Sequence, residues 1–225
     1  MPEILVLRHG KCTLNEAGRL NGQTDSDLAP EGVRQAEVLR DTLKMYVMRR
    51  LIRLPDMVYS STLRRASRTS RIVTEGLGLR PALELPAFQE RCLGDVEEMT
   101  YKEALAHVPD KYKITTPHGV TYSQAKKFGF ETFKQSTRRA REGLDYIERS
   151  HQDDDTAWIF THGDFALALI AAWTGRPMKE IIHEVYLENT EGVWLHPGQT
   201  YTKFTPESEE EFASVIMLPR QSVSQ

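Results

Sequence analysis

Ile4-Leu5-Val6-Leu7-Arg8-His9-Gly10 is the stretch on which the reading of the fold turns. Its apolar run reads as a buried strand, and its polar, glycine-terminated end reads as a tight turn. The pattern recurs further along. Met57-Val58-Tyr59 looks like a second buried strand stopped by Ser60-Ser61, and Trp158-Ile159-Phe160 a third, stopped by Thr161-His162-Gly163. Helical segments separate them. Val33, Ala36, Leu39, Leu43 and Val47 recur at helical spacing after a start near Glu31, with a polar, glycine-containing loop from Lys11 to Pro30 before it. Leu63, Ala66, Ile72, Val73 and Leu77 mark a second helix that the two serines can cap and that stops at Gly76-Leu77-Gly78.

The remaining order supports the same architecture. A short β-like segment over Ala82 to Phe88 leads into Glu90, and helices are expected over Tyr101–His107 and Ser123–Arg149. Asp153-Asp154-Asp155 reads as a solvated turn rather than a metal site, and Phe165 to Thr174 as a buried helix. Val193-Trp194-Leu195 and Tyr201 to Phe204 flank Pro197-Gly198 and can pair as a hairpin. Pro206–Glu211 and the last ten residues read as surface and tail. Strands alternating with helices predict an α/β fold, a three-layer sandwich whose central, mostly parallel sheet is flanked by helices. Ligands in such sheets bind beyond the carboxyl ends of the strands. Three strand ends carrying arginine, histidine and serine there are the first functional clue.

Composition narrows the function classes. A chain of 225 residues fits one domain with a generous core. A net charge of −3 speaks against a general nucleic-acid binder. The two cysteines, Cys12 and Cys92, have no metal-ligand spacing and fit a reducing compartment. The N-terminal apolar run is too short for a signal peptide and no stretch is long enough to span a bilayer, so a cytoplasmic location without membrane partners is expected. Arg49-Arg50-Leu51-Ile52-Arg53 could touch an anionic surface, but a helix end before Pro55 explains it more simply. Oligomeric state is not set by the sequence.

A histidine followed by glycine at two strand ends points to chemistry. Neutral imidazole attacks phosphorus well and leaves tolerably afterwards. It needs cations to neutralise the phosphoryl oxygens, and the guanidinium fork grips two at once. Arg8 adjoins His9, while Arg64, Arg65, Arg68 and Arg71 cluster beyond the second strand. Arg68 and Arg71 read as a solvated helix face, and helical geometry lets at most one of Arg64 and Arg65 point inward.

These residues match a known pattern. Arg8-His9-Gly10, Asn15, Gly18-Arg19-Leu20-Asn21-Gly22, Asp25-Ser26-Asp27-Leu28, Gly32 and Gln35-Ala36 resemble the N-terminal signature of the histidine phosphatase superfamily, in its phosphoglycerate mutase-like branch. Ser61 to Ala66, Gln89-Glu90-Arg91 with Gly94, and Thr161-His162-Gly163 resemble its later motifs, in the same order. The resemblance implies that His9 is phosphorylated and that Glu90 gives and takes the proton. It assigns the phosphoryl oxygens to Arg8, Asn15, Arg65 and His162, and makes Asn21, Gly22 and Gly163 candidates for substrate contact. It implies no metal and no cofactor, a small-molecule phosphate ester as substrate, and one domain over 1–225 with a substrate lid around 100–122 and a tail around 216–225.

The chain also departs from that pattern. Cys12 stands where the family usually has threonine and Asn21 where it has glutamine; a thiol is a poorer hydrogen-bond donor and, among so many cations, a candidate for oxidation. Gly119-Val120-Thr121 replaces a Gly-Glu-Ser motif. The mutase subgroup has a tyrosine where Leu93 stands and an arginine pair that Lys111 to Pro117 lacks, so hydrolysis is expected over phosphoglycerate mutase-type transfer. A catalytically weak phosphate-binding protein is the alternative of another class. A metal hydrolase using His9, His162 and Glu90 lacks local ligand spacing. A cysteine phosphatase lacks its C-x5-R loop. Asp164 is a rival to Glu90 as proton donor.

Overall fold

The computed structural model describes residues 1–122 and 126–206. Its main sheet has six strands in the order β3-β2-β6-β1-β7-β8. They are β1 (Glu3–Arg8), β2 (Met57–Ser60), β3 (Leu83–Glu84), β6 (Thr156–Thr161), β7 (Gly192–His196) and β8 (Thr200–Phe204). The first four of that order run parallel, with Leu7 beside Phe160 and Tyr59 beside Ile159. The sheet is mixed, because β7 pairs antiparallel with β1 and β8 antiparallel with β7. The expected hairpin therefore extends the central sheet, turning through Gly198 and Gln199, both at positive φ.

Continuous apolar runs form these strands because both faces are covered. Ile4 and Val6 point into one core with Ala157 and Ile159, against α5 (Phe133–Ser150), α6 (Gly163–Thr174) and α7 (Met178–Glu184). Leu5 and Leu7 point the other way with Val58, Trp158 and Phe160, onto Leu39 and Leu43 of α2 (Pro30–Met48) and Val73 of α3 (Arg64–Gly76). The strand period of two thus supplies both cores of a three-layer sandwich. Helix α6 is buried on almost every side, as its near-continuous apolar sequence requires.

A smaller core lies apart. Val96, Ala104, Val108, Tyr122 and Phe130 pack beneath α4 (Tyr101–His107) and a hairpin of β4 (Lys113–Thr116) and β5 (Gly119–Tyr122). Close backbone contact fixes the loop after β1: a Cβ on Gly32 would lie 1.9 Å from the Lys11 carbonyl oxygen, so only glycine lets α2 begin there.

Several elements differ from expectation. The helix expected from Ser123 begins at Phe133, where Thr132 and Gln135 form a capping box; 123–125 lie outside the described residues and Lys126–Phe128 make a 3₁₀ turn. The β-like segment from Ala82 shrinks to Leu83–Glu84, and Pro86–Phe88 turn as a 3₁₀ helix. Ser60 and Ser61 do not cap α3. Leu63 occupies that position, and the Asp25 carboxylate accepts the first N–H of the helix, from Arg64, at 2.8 Å. Of the acidic segment 206–211 only Pro206 is described, and the tail around 216–225 lies outside the described residues. Among the described residues no helix is long and apolar enough to cross a membrane.

Candidate active site

The carboxyl ends of β1 and β6 set two histidines edge to face, ring centroids 5.1 Å apart. His9 follows β1, and its backbone N–H donates to the Thr161 carbonyl at 3.0 Å. His162 stands at the N-cap of α6. Between them lies Arg65, wholly buried in the first turn of α3. Its Nε–H is shared by His9 Nε2 and His162 Nδ1, each at 3.2 Å.

That shared donor fixes both tautomers. A guanidinium only donates, so both receiving nitrogens carry lone pairs. His9 Nδ1 then holds its proton and donates it to the Gly10 carbonyl at 2.7 Å, and His162 Nε2–H donates to Ser61 Oγ at 2.8 Å. Burial, followed by the charges of Arg65 and Arg8, holds His9 well below the ordinary imidazole pKa. Burial and Arg65 do the same for His162. The lowered pKa favours neutral His9, whose Nε2 lone pair faces the shared Arg65 N–H.

Arg65 is anchored at its other end as well. Nη1 donates to the Thr24 carbonyl at 2.8 Å and Nη2 to the Gly22 carbonyl at 2.7 Å. Glu97 holds that loop in turn, accepting N–H from Gln23 (3.0 Å), Thr24 (2.8 Å) and Leu93 (2.9 Å). Gly22 is obligatory here: φ is +52°, and a Cβ would meet the Glu97 carboxylate. Arg64 faces outward onto Asp25, and Arg68 onto Asp27, so the inward choice falls on Arg65.

Arg8 lies over Gly163, where a Cβ would make ordinary contact at 3.6 Å from the guanidinium carbon. Its Nη1 donates to the Leu187 carbonyl, while its Nε is buried without a hydrogen-bond partner. A buried, charged, unpaired N–H facing this cleft calls for an anion.

Glu90 completes the constellation. Oε1 accepts the N–H groups of Arg91 and Phe165, both at 2.9 Å, which sets the carboxyl on the N-terminal turn of α6. Burial, with the nearby negative charge of Asp164, pushes its pKa up to about 7 against the hydrogen bond from Arg91. Two arginines position it: Arg139, absent from the sequence motifs, and Arg91, which the motif contained without a role. Arg139 of α5 donates from Nη1 to the carbonyls of Ala87 (3.0 Å) and Gln89 (2.7 Å) while its guanidinium binds Glu131. Arg91 is fully buried, and its Nε and Nη2 donate to the same Asp164 oxygen, at 3.1 and 2.6 Å. That bond commits Asp164 and leaves Glu90 as the freer acid.

Asn15 lines the cleft, but its Oδ1 receives the Cys12 thiol at 3.0 Å; Asn21 Oδ1 receives the same thiol at 3.1 Å and the Ser26 hydroxyl at 2.9 Å. Cys12 is fully buried, closed off from oxidants by these contacts. The structure thus brings His9, Arg8, Arg65, His162 and Glu90 together, with Asn15 at the edge. Asn21 and Gly22 also line the cleft, and they support Cys12 and Arg65 respectively. Thr24 was missed as a site residue, and the support that Ser61 gives His162 and the Gly22 carbonyl gives Arg65 was not foreseen, because these roles depend on contacts between distant segments. Among the described residues no cluster of three or more His, Cys, Asp or Glu side chains is arranged to hold a metal ion.

The cleft encloses about 260 Å³ and runs from His9, Arg8 and Glu90 out to the β4–β5 hairpin. A histidine held below its ordinary pKa, buried guanidinium groups and a carboxyl raised to about 7 meet at this cleft, a combination suited to phosphoryl transfer. The model of the histidine phosphatase superfamily (branch 1) matches residues 4–205, and the chain belongs to that family. It is 28% identical over 196 residues to a metal-independent phosphoserine phosphatase of Arabidopsis thaliana, covering 83% of this chain and 77% of the relative. A phosphoglycerate mutase-like protein 4 of the same plant is 32% identical over 200 residues, 89% of this chain and 82% of that one. In fold the chain resembles a mycobacterial glucosyl-3-phosphoglycerate phosphatase complexed with VO3, at TM-score 0.74 and 24% identity over 92% of this chain and 100% of the other. The protein is a phosphatase of the histidine type, a hydrolase of phosphate monoesters.

Proposed function

We propose that hydrolysis proceeds through phosphorylated His9, with Glu90 as proton donor and then base. The observation that carries this reading is the opposed state of two groups at one cleft: burial and guanidinium charge keep His9 unprotonated, while burial and Asp164 keep Glu90 protonated up to about pH 7. His9 Nε2 forms a bond to phosphorus as the bond from phosphorus to the ester oxygen breaks, and Glu90 gives that oxygen its proton. The Glu90 carboxylate then takes a proton from water, whose oxygen displaces the imidazole and releases inorganic phosphate. The unpaired Nε–H of Arg8 and the free N–H bonds of Arg65 take the phosphoryl oxygens, with Asn15 beside them, and His162 joins them once it takes a proton on Nδ1 as the phosphate dianion arrives. The 100–122 region, carrying α4 and the β4–β5 hairpin, acts as the substrate cover. Two free cysteines fit a cytoplasmic setting.

The test is turnover of an aryl phosphate with chelator present, comparing wild type with His9→Ala and Glu90→Gln. Chelator-resistant turnover lost in His9→Ala is expected, together with an acid-labile phosphoprotein trapped by Glu90→Gln. Activity surviving in His9→Ala would sink the mechanism.

A further inference from the structure

The outer part of the cleft is chemically unlike its inner end. His118, beside the turn of the β4–β5 hairpin, stacks on Tyr186 from the connection after α7, with ring centroids 4.9 Å apart and planes at 19°. Tyr101 Oη, from α4, accepts the N–H of Val120 at 2.6 Å. These two contacts hold the hairpin over the cleft from both sides. Among the described residues, an apolar strip of Leu93, Val120, Leu167, Ile182 and Val185 runs along the wall they complete, beside Asn21, Thr116 and Thr121.

Arg91 and Asp164 of that wall are already committed to each other. Arg91 donates from Nε and Nη2 to Asp164, from Nη1 to the Tyr122 carbonyl at 3.0 Å, and from Nη2 to Thr121 Oγ1 at 3.0 Å. Asp164 leaves its own negative charge at the cleft, with its side chain 37% exposed. Arg19 is exposed at the outer edge, with Nη1 donating to the Glu98 carbonyl at 2.6 Å.

We infer that this enzyme selects small phosphate monoesters whose alcohol is apolar and uncharged, with Val120, Ile182 and Val185 as specificity-determining residues. The inference rests on the phosphatase reading above and adds the substrate class to it. A carboxylate on the alcohol would lose its water against Val120, Ile182 and Val185, which offer it no donor, and Arg19 at the outer edge is the one cation there without a carboxylate partner among the described residues. An apolar alcohol gains from the same burial. The inner space is modest too: about 260 Å³, below the roughly 300–1,000 Å³ of pockets that enclose drug-sized ligands, although the cleft is partly open to solvent. Once the phosphoryl group is seated, a short chain or one ring fills what is left.

The experiment compares kcat/KM of the purified full chain for butyl and phenyl phosphate with that for O-phosphoserine and 3-phosphoglycerate. The apolar pair is expected to lead by about tenfold or more. Val120→Lys should narrow the ratio, and Val185→Thr, nearly unchanged in volume, should lower turnover of the apolar pair alone. Equal or faster turnover of phosphoserine by wild type would overturn the inference and leave the phosphatase reading standing. So would a selective loss of phosphoserine turnover in Arg19→Gln, since a carboxylate would then have found its cation. A wild type inert to all four esters would overturn this inference and count against the proposed His9 mechanism, while membership of the family stands.

Discussion

Replacing Glu90 by glutamine separates what this carboxyl costs the fold from what it does in the reaction. Its pKa lies at about 7 in the fold against an ordinary 4.5, so the folded chain holds this proton more tightly than the unfolded one. Wild-type stability from this group is therefore full below 4.5 and is lost as pH rises through about 7. Glutamine has no such dependence, and its amide oxygen can still accept the two 2.9 Å bonds from Arg91 and Phe165. At about 1.36 kcal/mol per pKa unit the ceiling of the gain is about 3 kcal/mol. The carboxyl is half-buried and opens on the cleft, so solvent screening reduces this to about 1–2 kcal/mol. Urea unfolding of both proteins at about pH 5 and about pH 8 measures it, and the depressed histidines cancel because both proteins carry them. Glu90→Gln should be the more stable protein at the higher pH, with little difference at the lower. A pH-independent difference, or a less stable variant at pH 8, would refute the argument.

Other outcomes follow from the same geometry. The kcat/KM for an alkyl phosphate should fall as pH rises through about 7, where Glu90 loses the proton it must donate; a nitrophenyl ester, whose leaving oxygen needs no proton, should show a shallower fall in the same pH–rate profile. Arg65→Lys cannot reach both the Gly22 and Thr24 carbonyls and still bridge the imidazoles. Steady-state kinetics should show a loss on the order of 10²–10³, and thermal unfolding a penalty of about 1–3 kcal/mol for each carbonyl left bare. Gly32→Ala drives a methyl to 1.9 Å from the Lys11 carbonyl oxygen. It should destabilise the chain by about 3 kcal/mol or more, seen as a large drop in Tm.

Much of the architecture was legible because strand and helix patterns are local. Ile4 to Leu7 and Trp158 to Phe160 announced buried strands, and the inward choice between Arg64 and Arg65 followed from helical geometry plus the family motif. The antiparallel docking of β7 on β1 was not legible, since it depends on how a distant hairpin returns to the sheet. The start of α5 was misplaced because its capping signal, Thr132 with Gln135, lies downstream of the polar stretch taken as helix. Ser61 looked like a helix cap by type. In the fold Asp25 takes that duty, and the Ser61 hydroxyl serves His162. Arg91 and Arg139 sit among ordinary charges in the sequence, and only their burial against Asp164, Glu131 and three-dimensional neighbours reveals them as supports for Glu90.

The four-way grip of Glu97 has a consequence for protein engineering. By holding Gln23, both donors of Thr24 and the Leu93 amide, one carboxylate welds the loop that anchors Arg65 to the segment that follows Glu90. Segments taken from relatives to retune this enzyme will then behave as one cartridge. A transplant of 20–25 alone, or of 90–97 alone, leaves half of the joint behind, whereas moving both together carries the phosphoryl anchor and the proton donor as a matched set.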